Sequence, residues 1–180
     1  MAGPYRVKTD RHGAVFGLAG WSGSGKTTLV EQVVSHLVGL RYDVATIKHA
    51  HQHFDADIPG KDSFKHRQAG ASQVLVSSAQ RSALFSEHAE SDEPELPQLL
   101  QRLAPVDLVL VEGFKKYPIE KLEIFRPSLG KARLYPEDDL IMAVASDKAL
   151  DDCPLPVFKL CDIEAISNFI IVQTKLKQAC

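Results

Sequence analysis

Gly20-Trp21-Ser22-Gly23-Ser24-Gly25-Lys26-Thr27 satisfies G-x-x-x-x-G-K-[ST] at every fixed position. Its glycines let the backbone curl into a nest whose N–H groups converge on an anion. Ser22, Gly23, Ser24 and Gly25 make that nest, and the helix that follows adds the positive end of its dipole. Lys26 is the cation for the outer phosphates. The Thr27 hydroxyl is a hard oxygen ligand suited to Mg2+, and Thr28 is placed for an α-phosphate. The flanks agree. Ala14-Val15-Phe16-Gly17-Leu18-Ala19 is a short apolar run, as in a buried strand. From Lys26 to Val38, Leu29, Val30, Val33, Val34 and Leu37 share one side of a helical period, with Glu31, Gln32, Ser35 and His36 opposite. Gly39 is expected to stop that helix. Strand, glycine-rich turn and amphipathic helix are the setting in which this motif binds a nucleotide rather than forming a chance turn.

Outward from the motif, strands alternate with helices. Val44 to Ile47 is the next strand. Val106 to Val111 is the most continuous one, apolar on both faces apart from Asp107, as a central parallel strand should be. Leu122–Phe125, Leu140–Ala145 and Val157–Leu160 read as further strands, and Gln73–Ser77 and Ser82–Ser86 as two short ones. Ser86 to Pro94 reads as an acidic surface loop. Helices are expected from Pro94 to Leu103 and after Asp162, a side-chain cap for a stripe of Ile163, Ile166, Phe169, Ile170 and Leu176. The fold class is α/β, a P-loop NTPase-like layered sheet, mostly parallel, with helices on both faces. Residues 1–12 read as a flexible tail and 13–180 as a single nucleotide-binding domain.

The 180 residues carry 21 Lys plus Arg against 23 Asp plus Glu, a net charge of −2. That balance excludes a basic nucleic-acid scaffold and offers no strong field for an anionic membrane. No apolar run approaches the ~18 residues of a membrane span. The N-terminus has no apolar signal core, so a cytoplasmic location is expected. Cys153, Cys161 and Cys180 are odd in number and lack CxxC spacing, which argues against a disulfide framework or zinc ribbon. Cys153 and Cys161 are expected to be small buried fillers.

A phosphate-cleaving site also needs a carboxylate at the end of a neighbouring strand. Val106–Val111 runs out in Glu112-Gly113. Glu112 can hold Mg2+ through water or orient an attacking water, beside the phosphates that Gly113 would approach. The position is usually Asp, so the reach differs and strong hydrolysis is not implied.

Several stretches now combine: Ala19–Leu29, Ile47-Lys48-His49-Ala50-His51, Asp57–Ser63, Arg67-Gln68-Ala69-Gly70-Ala71, and Asp107–Lys115 with its V-E-G-F-K strand end. In this order they resemble the MobB family of molybdopterin-guanine dinucleotide biosynthesis adapter proteins, over residues 14 to 175. The resemblance implies a GTP-binding homodimer with weak, Mg2+-dependent GTPase activity. It also implies a role beside a molybdenum cofactor guanylyltransferase, which joins GMP to molybdopterin. Molybdopterin or molybdopterin guanine dinucleotide is then a further implied ligand. One departure is that Gln52 separates His51 from His53, where family members often carry adjacent histidines.

His49 to Ala71 reads as a long polar loop with one helical turn, and loops of this length are usually functional. His49, His51, His53, Asp55 and Asp57 alternate, so an extended segment would present them on one edge. A zinc site is one use of that edge. Sensing of the γ-phosphate by the loop after the second strand is a better one. Lys48 and His49 could contact phosphate, and Asp55 or Asp57 could bind Mg2+ through water or position the attacking water. Lys61, Asp62 and Arg67 could recognise phosphate or pterin, or cap a helical turn. Trp21 could cover the phosphates or dock a partner. Late in the chain, Val144-Ala145-Ser146-Asp147 ends an apolar strand where the guanine-reading aspartate of P-loop GTPases commonly lies. Asp147 either reads the base or begins and caps the next turn. A small nucleotide or metabolite kinase shares the motif and the size, but Ser86 to Pro94 has no arginine for a lid. An interaction module whose nucleotide only fixes its conformation is the third option.

Overall fold

The computed structural model describes residues 11–50, 54–88 and 93–177. In chain order its elements are β1 (Ala14–Ala19), α1 (Lys26–Gly39), β2 (Val44–Lys48), α2 (Asp62–Gln68), β3 (Gln73–Ser77), β4 (Ser82–Ser86), α3 (Leu96–Arg102), β5 (Leu108–Glu112), β6 (Lys121–Phe125), β7 (Ile141–Ser146), β8 (Val157–Lys159) and α4 (Ile163–Thr174). Contacts divide the chain into two compact units, one from the N-terminal side to His49 together with Leu99 onward, the other Ala50–Gln98.

The first unit is a six-stranded sheet in the order β2-β5-β1-β6-β7-β8, with every neighbouring pair parallel. All five residues of β5 are buried, which is why its sequence is apolar on both faces. The chain leaves β1 for β2 on one side, and leaves β5 for β6, β7 and β8 on the other. Winding thus reverses beside β1, and the crevice at the carboxyl ends of these strands is where α/β sheets bind ligands. Leu29, Val33 and Leu37 of α1 and Ile166 and Ile170 of α4 share one core with Phe16, Leu18, Leu108, Leu110, Leu122 and Ile124. Each such side chain contributes roughly 1.5–3 kcal/mol by leaving water.

Two alternate residues of β6, Lys121 and Glu123, are charged and buried. Lys121 Nζ pairs with Asp138 at 2.8 Å. Glu123 accepts from the Leu134 and Tyr135 backbone N–H groups at 2.8 and 3.0 Å. Burial pushes the Glu123 carboxyl up, against those two bonds and the Arg133 charge. At the helix ends, Asp162 caps α4 by accepting from the Ala165 N–H at 3.1 Å. Gly39 does not stop α1, which includes it; the left-handed residue after the helix is Arg41, at φ 67°. Residues 11 and 12 are not a loose tail. Arg11 Nε donates to the Leu103 carbonyl, and the buried His12 ring has Nε2 2.9 Å from the Leu100 carbonyl. Residues 1–10 lie outside the described residues. Cys153 is half-buried and Cys161 exposed, so neither is a core filler, and Cys180 lies outside the described residues. Among the described residues no helix is long and apolar enough to cross a membrane.

In the second unit the two short strands expected at Gln73–Ser77 and Ser82–Ser86 are present, and the expected long loop before them holds α2. α2 is a full helix rather than one turn. Asp62 in its first turn and Lys65, His66 and Arg67 in its last complement the helix dipole. No residue of α2 is buried, so hydrophobic periodicity carried no trace of it. β3 and β4 pair antiparallel, Gln73 opposite Ser86 through Ser77 opposite Ser82. Val74 is buried, while Leu75 and Leu84 are 67% and 50% exposed.

Candidate functional site

Strand register builds the site. Lys48 of β2 and Leu18 of β1 both face Glu112 of β5. Lys48 and Glu112 therefore end side by side where the glycine-rich turn leaves β1. Thr27 Oγ1, in the first turn of α1, donates to Glu112 Oε1 at 2.9 Å. Lys48 Nζ lies 3.5 Å from Thr27 Oγ1 and 3.8 Å from Glu112 Oε2. Glu112 is only 11% exposed at its side chain, so the pairing is held in a partly dry site.

Lys26 Nζ donates back into the loop, to the Trp21 carbonyl at 2.9 Å. Burial holds the Lys26 pKa below the usual lysine value; Glu112 opposes the shift, and the ammonium groups of Lys115 and Lys48 add to it. Ser24 Oγ is buried beneath the loop and takes no hydrogen bond among the described residues. An orphan hydroxyl, a destabilised ammonium and a hydroxyl–carboxylate pair suit a phosphate with its Mg2+. Mg2+ typically takes one or two protein oxygens and fills its octahedron with phosphate and water. Thr27 and Glu112 are the two oxygens on hand.

The strand end beyond Glu112 is tightly built. The His49 N–H donates to the Glu112 carbonyl at 2.9 Å. A Cβ at Gly113, φ 94°, would sit 2.9 Å from His49 Cβ, so glycine is required there. The His49 ring lies against Phe114, centroids 4.6 Å apart. Phe114 itself has φ 43°, which is costly for an aromatic residue and is typical of segments near functional sites.

Other candidates fall elsewhere. Ser22, Gly23 and Thr28 are exposed on the loop and first turn. Asp55, Asp57 and Arg67 meet one another in the second unit. Arg67 Nε bonds Asp57 at 3.0 Å, Nη2 bonds Asp55 at 2.9 Å, and Nη1 bonds Glu87 at 2.8 Å. Its guanidinium also lies 5.7 and 5.5 Å from the Phe64 and Phe85 ring centres. The Asp57 N–H, then Arg67, hold the Asp55 carboxyl below its usual range. Lys61 is the N-cap residue of α2 without a side-chain capping bond, and Asp62 pairs with Lys65 at 3.4 Å. His51 and His53 lie outside the described residues, as do 89–92 of the acidic loop. Among the described residues no group of three or more His, Cys, Asp or Glu could hold a metal.

Sequence reasoning missed two cations. Lys115 Nζ sits 4.2 Å above the Trp21 ring, whose Nε1 donates to the Ala132 carbonyl at 2.7 Å. Arg126 Nε donates to the Ser24 carbonyl at 2.9 Å, and its Nη1 pairs with Asp147 at 2.8 Å. Asp147 does not cap the following turn; Ser146 Oγ does, accepting from the Lys148 N–H at 3.2 Å. The available signal was positional: Arg126 directly follows β6, and every parallel strand delivers its next residue to the same edge.

A family model described as molybdopterin guanine dinucleotide synthesis protein B, MobB, matches residues 15–147. The chain is 39% identical over 159 residues to the molybdopterin-guanine dinucleotide biosynthesis adapter protein of Escherichia coli (strain K12), covering 85% of this chain and 89% of that one. It is 39% identical over 139 residues to the protein of the same name from Haemophilus influenzae (strain ATCC 51907 / DSM 11121 / KW20 / Rd), with 76% of each chain covered. A crystal structure of molybdopterin-guanine biosynthesis protein B superposes with a TM-score of 0.71 at 25% identity, over 89% of this chain and 99% of that one. Bacillus subtilis MobB shares the fold, with a TM-score of 0.70 at 24% identity, over 92% of this chain and 99% of that one. The six-stranded parallel sheet, the phosphate loop at its switch point and these likenesses agree: the chain belongs to the MobB family.

Proposed function

We propose that this protein binds GTP with Mg2+ in the phosphate loop and acts as an adapter in molybdopterin guanine dinucleotide biosynthesis. The observation that carries the reading is the Thr27–Glu112 pair beside Lys26, three groups from α1 and β5 converging where a metal–triphosphate would lie. In that role the Ser22–Gly25 backbone cradles the phosphates, Lys26 and Lys48 neutralise them, and Thr27 and Glu112 hold Mg2+. Thr28 meets the α-phosphate, and His49 and Gly113 line the outer phosphates. Glu112 in place of a shorter Asp is consistent with slow hydrolysis, so the nucleotide acts more as a state marker than as a fuel. Asp147 reads the base by accepting from guanine N1–H and the 2-amino group. In the second unit Asp55, Asp57 and Arg67 brace one another rather than acting as hydrolytic groups, and the exposed Lys61 and Asp62 are left to meet the pterin or the partner.

The adapter works as a homodimer in the cytoplasm, beside a molybdenum cofactor guanylyltransferase. Exposed Leu75, Val76 and Leu84 on the two-stranded sheet fit pairing with a second copy. Calorimetric titration with GTP, ATP and molybdopterin, with and without Mg2+, tests the core of this reading. Tight GTP binding with slow turnover is the expected result. Fast phosphoryl transfer to a small acceptor would make the protein a kinase instead. Sedimentation of wild type and Leu84→Glu tests the dimer, with the variant expected to run as a monomer.

A further inference from the structure

Arg126 lies 102 residues from Ser24 and 21 from Asp147, yet its side chain bonds to both. We infer that Arg126 sets the base selectivity of the site, holding Asp147 in its reading position and tying that grip to the phosphate loop. The inference rests on the nucleotide reading above and names the residue that makes its base contact work.

The geometry begins with register. β6 and β7 are adjacent and parallel, with Phe125 facing Ser146 at their ends. The next residue on each, Arg126 and Asp147, therefore emerges at the same edge. The guanidinium spends Nε on the Ser24 carbonyl and Nη1 on Asp147 Oδ2. Because the fork is planar and rigid, fixing one donor fixes the direction of the others. Gly25, at φ 96°, leaves room for this crossing, since a Cβ there would stand 3.4 Å from Arg126 Nη2.

A carboxylate reads guanine only if it is correctly rotated, and the 2.8 Å bond from Arg126 Nη1 holds that rotation. Each carboxylate oxygen has two lone-pair sites. Asp147 can therefore keep Arg126 and still accept from N1–H and the 2-amino group. Adenine offers neither donor. Beside Asp147 lies a cavity of about 630 Å³ whose lining includes Lys148, Leu150, Phe158 and Cys161. Its size and largely apolar wall suit a nucleoside. The residues before Asp147 are Ala145-Ser146, so the N-K-x-D arrangement that usually supports a guanine-reading aspartate is absent. Arg126 supplies the support from the neighbouring strand.

The rival role is a brace that only shapes the phosphate loop through Ser24. Dissociation constants for GTP, ATP and inorganic tripolyphosphate separate the two. They would be measured on wild type, Arg126→Met, Arg126→Lys, Asp147→Asn and the Arg126→Met/Asp147→Asn double variant, each checked for native circular dichroism. Wild type should prefer GTP. Arg126→Met should lose about tenfold of the GTP-over-ATP ratio, in the range of one bidentate base contact. Tripolyphosphate binding should change far less. Arg126→Lys should lose the ratio too, because an ammonium cannot hold two acceptors in a fixed plane. The double variant should lose no more selectivity than either single one, since the two residues act as a unit. A common loss for all three ligands in Arg126→Met, or additive losses in the double variant, would overturn the inference. So would a wild type that binds tripolyphosphate without preferring GTP. Wild type that binds none of the three overturns the nucleotide reading itself, and this inference with it.

Discussion

The phosphate loop and the Arg67 hub are both knots of charge, but they stand on different foundations. The loop springs from β1, whose last four residues are buried, beside the wholly buried β5. Apolar burial holds those strands, so the polar groups at their ends need not hold one another. Among the described residues Ser24 Oγ has no hydrogen-bond partner, and Lys26 turns to a loop carbonyl. In the second unit the foundation is thin. α2 has no buried residue, and Leu75, Val76 and Leu84 face outward. Arg67 answers three carboxylates there and covers two aromatic rings. Charge spent on internal bonds stabilises structure; charge left in deficit is what a ligand can use.

Lys26→Ala separates ligand binding from folding most directly. If Lys26 serves the ligand and not the fold, triphosphate affinity should fall by roughly 2–5 kcal/mol, about 30-fold to several thousandfold. The melting temperature should hold or rise slightly, since a partly buried cation has been removed. Calorimetry and thermal melts together decide it; unchanged GTP affinity would remove the phosphate-cradle assignment.

Glu112→Gln comes next. A glutamine at that position still accepts from Thr27 but no longer carries charge for Mg2+ or for an attacking water. Turnover should drop roughly 10²-fold, with much less change in GTP affinity. Single-turnover hydrolysis and equilibrium binding on the same preparation check this. An unaltered rate would transfer the catalytic task away from β5.

Much of the first unit was legible because each feature has a local signature. The glycine spacing, the helical period of α1, the apolar run of β5 and the cap at Asp162 can all be read within a few residues. Lys121 and Glu123 could not be read as buried, since their partners Asp138 and the Leu134–Tyr135 backbone come from a later irregular stretch. Arg126 was missed for the same reason, its two acceptors lying on distant segments. In the second unit, alternation of His and Asp suggested one extended edge. Asp57 instead turns inward to Arg67, Ser63 and the Ile58 N–H. A hub of ion pairs has no periodicity, so only contact reveals it.

Arg67→Met removes the centre of the hub in the second unit. It keeps length and apolar cover but leaves Asp55, Asp57 and Glu87 facing one another without their cation. Peptide-resolved hydrogen exchange should show lost protection in α2 and β3–β4. The strands β1, β5 and β6 should keep theirs. Equal loss in both units would mean that they fold as one and that the hub is not local.

The smallest expected effects are in pH; stability rises with pH in both regions, at opposite ends of the scale. Lys26 has a folded-state pKa below the ordinary lysine value, chiefly through burial. Below that depressed pKa both folded and unfolded chains hold the proton, and the penalty for a buried cation is fully present. Between the depressed and ordinary values the unfolded chain binds more protons, so stability rises with pH. Asp55 has a folded-state pKa below the ordinary carboxylate value, first through the Asp57 N–H and then through Arg67. Its contribution is present above the unfolded pKa and is lost as pH falls through the folded one. Alkali should therefore relieve the phosphate loop, and acid should loosen the hub. Lys26→Met should flatten the alkaline rise in denaturant midpoint. Asp55→Asn should flatten the acid fall in protection of α2. Added GTP supplies the further test, because an arriving triphosphate restores the proton to Lys26. Binding on the alkaline side should take up protons, seen as a heat that varies with the ionisation enthalpy of the buffer, and affinity should weaken as pH rises. Heats independent of buffer would mean that Lys26 is already fully protonated in the free protein, and the contrast between a loop in deficit and a hub in balance would lose its electrostatic basis.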